Sequence, residues 1–129
     1  MLLRDLYYPY VGEEDHTTYG HKHRVGIFVE DKGFSWFDDG TWDVSIQYTS
    51  DTLIGNARLS NDTLGIAIEL FDFVHGVENI LMRRFVLHTT DDKPKNVKMY
   101  FNHDLHLYGD KQKDTAFYEP ETNAVIHFR

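Results

Sequence analysis

The sequence predicts an all-β fold, an antiparallel β-sandwich or meander of hairpins. Apolar residues alternate with a period of two in several segments, which is typical of strands. Clusters of Asp, Asn, Gly, Ser and Pro separate these segments at short spacing, and such clusters favour tight turns. No segment combines an amphipathic helical pattern with a cap and a stop signal, so we expect little helix.

The first half of the chain contains four candidate strands. Residues 27–29 and 34–37 flank the turn sequence EDKG, which predicts a hairpin. In WDVSIQY the apolar positions alternate with polar ones, and they are Trp42, Val44, Ile46 and Tyr48. In LGIAIELFDF the same pattern is made by Leu64, Ile66, Ile68 and Leu70. Both segments therefore predict strands with one buried and one solvated face.

The second half contains three more candidates. NILMRRFVLH, residues 79–88, has apolar residues on both alternating faces, so we expect a central strand covered on both sides. Residues 97–108 predict a further strand. The last candidate, 124–128, ends one residue before the end of the chain. We therefore expect this chain to be only part of a larger sandwich domain.

Composition limits the classes of function. With 129 residues and no linker or repeat, the chain is expected to form a single domain, 1–129. The formal net charge of −8 opposes binding to nucleic acid or to anionic membranes. The absence of cysteine excludes thiol chemistry and favours a cytoplasmic location. No apolar run is long enough for a secretory signal or a membrane span.

The stretch MYFNHDLHLYGDKQKDTAFYEP, residues 99–120, concentrates polar and aromatic groups. In a regular strand His103 and His106 would point to opposite faces, so they cannot converge on one metal ion. We predict no metal and no cofactor. His103 is expected to be a buried, neutral, hydrogen-bonded histidine. Asp104, His106 and Tyr108 would share a polar face.

The opening stretch RDLYYPYVGEEDHTTYGHKHR is a second cluster. Tyr7, Tyr8 and Tyr10 surround Pro9, and the acidic residues that follow predict a long loop. Long ordered loops commonly carry a function or an interface. Aromatic rings beside carboxylates suit a saccharide site and a protein interface equally, so both interpretations stay open.

Three blocks, RDLYYPYVGEEDH, GHKHRVGIFVEDKGFSWFDDGTW and NHDLHLYGDKQKDTAFYEP, together resemble a known family. They are similar to the start of the N-terminal β-sandwich domain of microbial and archaeal glucoamylases and glucodextranases, glycoside hydrolase family 15. The resemblance runs from Arg4 to about Phe128. It implies a galactose mutarotase-like supersandwich that precedes an (α/α)6 barrel, which removes glucose from α-glucans with inversion.

The resemblance implies that this chain has no catalytic residue. Inverting hydrolysis needs an acid and a base on opposite sides of the scissile bond, and in the family both are glutamates of the barrel. The adjacent acids Asp38 and Asp39, and likewise Glu13 and Glu14, are interpreted as solvated side chains, because geometry outranks residue type in defining a catalytic pair.

The role that the resemblance does imply is an interface. In the family the sandwich packs on the barrel close to the substrate cleft, so the predicted partner is the (α/α)6 barrel of the same polypeptide, with an α-glucan as a further ligand. The residues predicted to face the barrel or the rim of the cleft are Arg4, Asp5, Tyr7, Tyr8, Tyr10, His16, His106, Tyr108, Asp114 and Tyr118. A structural role inside the sandwich is the competing interpretation for each of them.

Two departures from the family pattern add an expectation about assembly. The glycine-rich segment before RDLYYP and the second half of the sandwich are both missing. Half a sandwich exposes apolar faces and sheet edges, so we expect a homo-oligomer of the isolated chain. The alternative functions are a stand-alone carbohydrate-binding or protein-interaction module and, by analogy of fold alone, a sugar mutarotase.

Overall fold

The computed structural model describes residues 2–3, 6–7, 16–17, 23–91, 93–107 and 114–129. These residues form ten β-strands and no α-helix. Among them there is no helix with the length and apolar character needed to cross a membrane. The chain divides into two compact units, a terminal unit of residues 1–25 and 101–129, and a central unit of residues 26–100.

The first sheet is organised around the second strand. Its members are β1 (Leu2–Leu3), β2 (His23–Val29), β3 (Gly33–Trp36) and β8 (Val97–Asn102). β1 pairs antiparallel with the start of β2, β3 pairs antiparallel with its end, and β8 also pairs with β2. The turn between β2 and β3 uses two positive φ angles, 63° at Asp31 and 100° at Gly33, which these residue types tolerate.

The second sheet is a four-stranded antiparallel meander. It contains β4 (Asp43–Tyr48), β5 (Gly55–Asn61), β6 (Ile66–Val74) and β7 (Leu81–Thr89) in sequence order. The two remaining strands, β9 (Thr115–Glu119) and β10 (Ala124–Phe128), form a separate antiparallel hairpin in the terminal unit. The prediction of an all-β antiparallel sandwich is confirmed.

The core of the central unit comes from one face of β2 and one face of β5 and β6. The aliphatic side chains at alternate positions of these strands are fully buried, and they are Ile27, Val29, Leu59, Ile66, Ile68 and Leu70. Each such side chain contributes about 1.5–3 kcal/mol when it leaves water. Phe37 and Trp42 extend the core, with their ring centroids 5.0 Å apart.

β4 differs from the prediction in what covers it. The strand forms where expected, and Trp42 just before it is buried. However, Val44, Ile46 and Tyr48 are exposed, although we expected them to face the core. The strand was therefore predicted correctly, but no second layer among the described residues packs on its apolar face.

β7 also differs, because it lies at one end of the described sheet and not at its centre. Its two arginines nevertheless make contacts with β6 on both faces of the sheet. On one face Arg83 donates hydrogen bonds of 2.8 Å from Nε and from Nη2 to the carboxylate of Asp72 on β6. On the other face the Arg84 guanidinium lies 5.8 Å from the centroid of the Phe71 ring, a cation–π contact. The expectation of a central strand was wrong.

β8 ends at Asn102, six residues earlier than predicted. The backbone N–H groups of His106 and Leu107 bond to the His16 carbonyl and to the Asp114 carboxylate. These acceptors take the place of a neighbouring strand, so the regular alternation stops. The argument that placed His103 and His106 on opposite faces of one strand therefore does not apply.

Candidate functional site

Three of the predicted interface residues meet in the terminal unit through backbone hydrogen bonds. The N–H of His16 donates to the Leu6 carbonyl at 2.8 Å, and the N–H of His106 donates to the His16 carbonyl at 3.1 Å. One residue later, the N–H of Leu107 donates to Asp114 Oδ2 at 2.9 Å. The segments around residues 6, 16, 106 and 114 are thereby tied together in one cluster.

The side chains of this cluster are largely covered. His16 is only 6% exposed, and the side chain of His106 is 14% exposed. His106 Nε2 lies 3.3 Å from Asp104 Oδ1, so a protonated His106 forms an ion pair there. These contacts assign a structural contribution to His16, His106 and Asp114, while their interface role stays a prediction.

The remaining predicted residues are distributed differently. Tyr7 is partly exposed. Tyr118 is exposed on β9, and its hydroxyl donates to Asn123 Oδ1 at 2.8 Å across the turn of the β9–β10 hairpin. The other five lie outside the described residues, and they are Arg4, Asp5, Tyr8, Tyr10 and Tyr108.

His103 pairs with a histidine that the sequence did not suggest. Its Nδ1 lies 3.0 Å from Nδ1 of His23 at the start of β2. One imidazole must donate and the other accept, so this bond is lost when both rings are protonated. His103 also stacks on Phe101, with 6.2 Å between centroids and 11° between planes. The predicted hydrogen bonding is confirmed, but His103 is exposed and not buried.

No group of three or more His, Cys, Asp or Glu side chains among the described residues is placed to hold a metal ion.

Asp39 in the central unit is a polar centre that the sequence interpretation missed. Its Oδ2 accepts from Ser35 Oγ at 2.6 Å and from the Trp36 N–H at 3.1 Å. Its Oδ1 accepts from the N–H and the hydroxyl of Thr41 at 2.9 and 2.6 Å. Asp39 is exposed, as expected of a solvated acid, and the turn after β3 also places its carboxylate against four donors.

The Asp39 network continues into the core. Trp42 Nε1 donates to Ser35 Oγ at 2.7 Å. Asn61 at the end of β5 donates to the Thr41 hydroxyl at 3.0 Å and accepts from the Leu64 N–H at 2.9 Å. The polar atoms of Trp42 and Asn61 are thus satisfied although both residues are buried, as buried polar groups require. The sequence signal for the network is Ser35, Asp39 and Thr41 at spacings of four and two.

The same hydrogen bonds set the acidity of Asp39. Partial burial raises its pKa, but the bonds from the Ser35 side chain, from the side chain and backbone of Thr41, and from the Trp36 backbone together outweigh that effect. The pKa of Asp39 is therefore held below its ordinary value of 3.8, because all these donors favour the ionised carboxylate.

The chain is similar to one curated protein of a named class. It is 32% identical over 102 residues to the uncharacterized glycosyl hydrolase MJ1610 of Methanocaldococcus jannaschii. The similarity covers 79% of this chain but 15% of that protein. No protein-family model and no solved structure matches the chain. The chain thus spans about one seventh of the length of a protein named as a glycosyl hydrolase, and it is related to that protein over this region.

Proposed function

We propose that the chain is the non-catalytic N-terminal β-sandwich domain of an α-glucan hydrolase of glycoside hydrolase family 15. The supporting observation is the relationship to a glycosyl hydrolase over 79% of this chain and only 15% of the relative. A matched region of 102 residues that makes up 15% of a protein has the size of an accessory domain. In this proposal the sandwich is a galactose mutarotase-like supersandwich, and the acid and base of hydrolysis belong to an (α/α)6 barrel.

The proposed role is to pack on that barrel and to support it near the substrate cleft. The β9–β10 hairpin favours a packing role. A two-stranded hairpin is marginally stable by itself, and five of its large apolar side chains are exposed, namely Phe117, Tyr118, Val125, Ile126 and Phe128. A surface of this kind gains stability when another domain covers it.

The test begins with the DNA that flanks the reading frame. We expect the frame to continue into a helical barrel with two glutamates facing each other across a cleft. A gene that encodes only this chain, with no glycosidase domain beside it, would overturn the proposal.

In the longer protein, variants then test the packing role. Tyr118→Ala and Asp114→Ala should lower the thermal midpoint of the barrel or kcat/KM on maltooligosaccharides. Lys32→Ala is the control, because Lys32 is exposed in the turn between β2 and β3. If Tyr118→Ala and Asp114→Ala matched the control in stability and kinetics, the hairpin and the Asp114 cluster would have no docking role.

A further inference from the structure

The outward face of the first sheet carries a cluster of aromatic side chains. In β2, Ile27 and Val29 face the core, so Gly26 and Phe28 face the other way. Gly26 is paired with Trp36, and Phe28 with Phe34, across the antiparallel ladder. Two aromatic residues of β3 thus stand side by side on a face that points away from the core.

The rings form an ordered surface. The centroids of Phe34 and Trp36 lie 4.8 Å apart at an interplanar angle of 88°, and Tyr100 of β8 lies 5.5 Å from Phe34 at 84°. Edge-to-face contacts of this kind are attractive. A Cβ at Gly26 would lie 2.5 Å from Phe34 Cζ and 2.8 Å from Trp36 Cε3, so the glycine is what lets these rings lie on the strand. Phe34 nevertheless remains 44% exposed and Tyr100 46%.

A polar depression adjoins the aromatic cluster. It has a volume of about 540 Å³ and is lined by Phe28, Glu30, Lys95, Asn96, Val97 and Lys98. Phe28 connects the two features, because it lines the depression and is the cross-strand partner of Phe34. Lys98 shares a face of β8 with Tyr100 by alternation.

The polar groups of the depression are held in place. The Glu30 N–H donates to the Asn96 carbonyl at 3.0 Å, and the Asn96 side-chain amide donates to the Glu30 carboxylate. The Glu30 carboxylate and the Asn96 amide are therefore fixed next to the exposed aromatic surface, and Lys98 contributes an ammonium group to the lining of the same depression. A hydroxyl group can donate a hydrogen bond to the carboxylate, donate to or accept from the amide, and accept from the ammonium group.

We propose that this face, the aromatic cluster with its polar depression, is a saccharide-binding surface. A sugar ring has apolar C–H faces and a polar rim of hydroxyls, which match exposed aromatic rings beside fixed hydrogen-bonding groups. The net charge of −8 favours a neutral ligand over an anionic one. The choice of an α-glucan as the ligand rests on the proposed function, whereas the binding surface rests on the geometry of the rings and the depression.

Tryptophan fluorescence of the purified chain reports on this surface directly. Of the two tryptophans, Trp42 is buried and bonded to Ser35, so a ligand on the outward face should perturb Trp36. We expect a saturable change with maltoheptaose, with calorimetric titration as the second readout. Isomaltooligosaccharides and cellooligosaccharides are titrated in parallel.

Phe34→Ala should weaken saccharide binding about tenfold, the effect of losing one stacking surface. Lys98→Ala should weaken it by a smaller factor. Phe117→Ala is the matched control, because Phe117 is 45% exposed on β9 and lies outside the proposed surface. Circular dichroism of each variant establishes that the fold is retained.

The outcomes separate this proposal from the proposed function. If the chain binds only a saccharide other than an α-glucan, and Phe34→Ala abolishes that binding, the binding surface is supported and the α-glucan assignment is wrong. No saturable binding of any saccharide by the folded chain overturns the surface, and so does binding that Phe34→Ala leaves unchanged. If Phe34→Ala changes only the oligomeric state, the face is a protein contact and the saccharide proposal fails.

Discussion

β4 and β6 have the same alternating pattern and lie in the same sheet, yet their burial is opposite. Through β5 they share one face, since Val44 is paired with Leu59 and Leu59 with Ile68. Ile68 on β6 is 1% exposed, whereas Ile46 on β4 is 70% exposed. One apolar face thus passes from fully buried to open across two strand spacings.

An alternating pattern determines the orientation of side chains but not their burial. Alternation fixes which side chains share a face, because successive side chains of a strand point to opposite sides. Whether that face is covered depends on a second layer, which residues distant in sequence provide. β4 and β6 therefore provide matched positions for substitution.

The largest effect is expected from Ile68→Ala on β6. Removing buried methyl and methylene groups costs their transfer free energy and leaves a cavity, so the free energy of unfolding should fall by about 2–5 kcal/mol. Urea denaturation followed by circular dichroism measures the loss. A change of less than about 1 kcal/mol would mean that the β6 face is not tightly packed.

A smaller loss of stability is expected from Asp39→Asn, which weakens the hydrogen-bond network just before β4. At this point the apolar pattern changes from the buried Trp42 to the exposed Val44 within two residues. The variant keeps the shape of the side chain but removes the charge that four donors contact, so unfolding should become easier by about 1–3 kcal/mol at neutral pH. Thr63→Ala, in the exposed turn between β5 and β6, is the control.

The pH dependence gives the sign of the Asp39 contribution. Its pKa is lowered in the folded chain, so its stabilising effect is fully present above the ordinary value of 3.8 and is lost as the pH falls through the lower folded value. The difference in unfolding free energy between the wild type and Asp39→Asn should therefore shrink in acid. A difference that stays constant through that range would contradict the network as its source.

These contrasts also show how far the sequence determines the fold and the candidate site. The strands around Ile27, Ile46, Ile68 and Phe85 follow from local alternation, and the structure has them. β5 was not predicted, although Ala57 and Leu59 alternate with polar residues, because the segment GNARLSN is rich in turn-forming residue types. The contacts His23–His103 and Asn61–Thr41 join residues 80 and 20 positions apart, and no local pattern encodes such pairs.

Another prediction concerns four residues that are paired in turn across the second sheet, from β4 to β7. They are the exposed Tyr48, Gly55, Asp72 and Arg83. At its β7 end the two-pronged Asp72–Arg83 pair is partly exposed, with side-chain values of 30% and 18%. Partial solvation limits such pairs, so a double-mutant cycle with Asp72→Ala and Arg83→Ala should give a coupling energy of about 0.5–1 kcal/mol. Urea denaturation of the four proteins provides the cycle.

High salt is the control for this pair, because screening should reduce the coupling. A coupling energy near zero would show that the ion pair adds no net stability at this end of β7. A value well above 1 kcal/mol would mean that another layer shields the pair from water.

The smallest change in monomer stability is expected from Ile46→Ala, the same substitution as Ile68→Ala at the uncovered end of the face. An exposed side chain loses few contacts on truncation, so the free energy of unfolding in dilute solution should change by less than about 0.5 kcal/mol.

Our proposal that the isolated chain forms a homo-oligomer adds a second expectation. If the Val44–Ile46–Tyr48 face is the contact, Ile46→Ala should weaken self-association in light scattering, and the wild type should gain stability with protein concentration. A monodisperse wild-type monomer at micromolar concentration would overturn the oligomer. Self-association that Ile46→Ala leaves intact would instead place the contact elsewhere, and Phe117→Ala would then test whether the β9–β10 hairpin provides it.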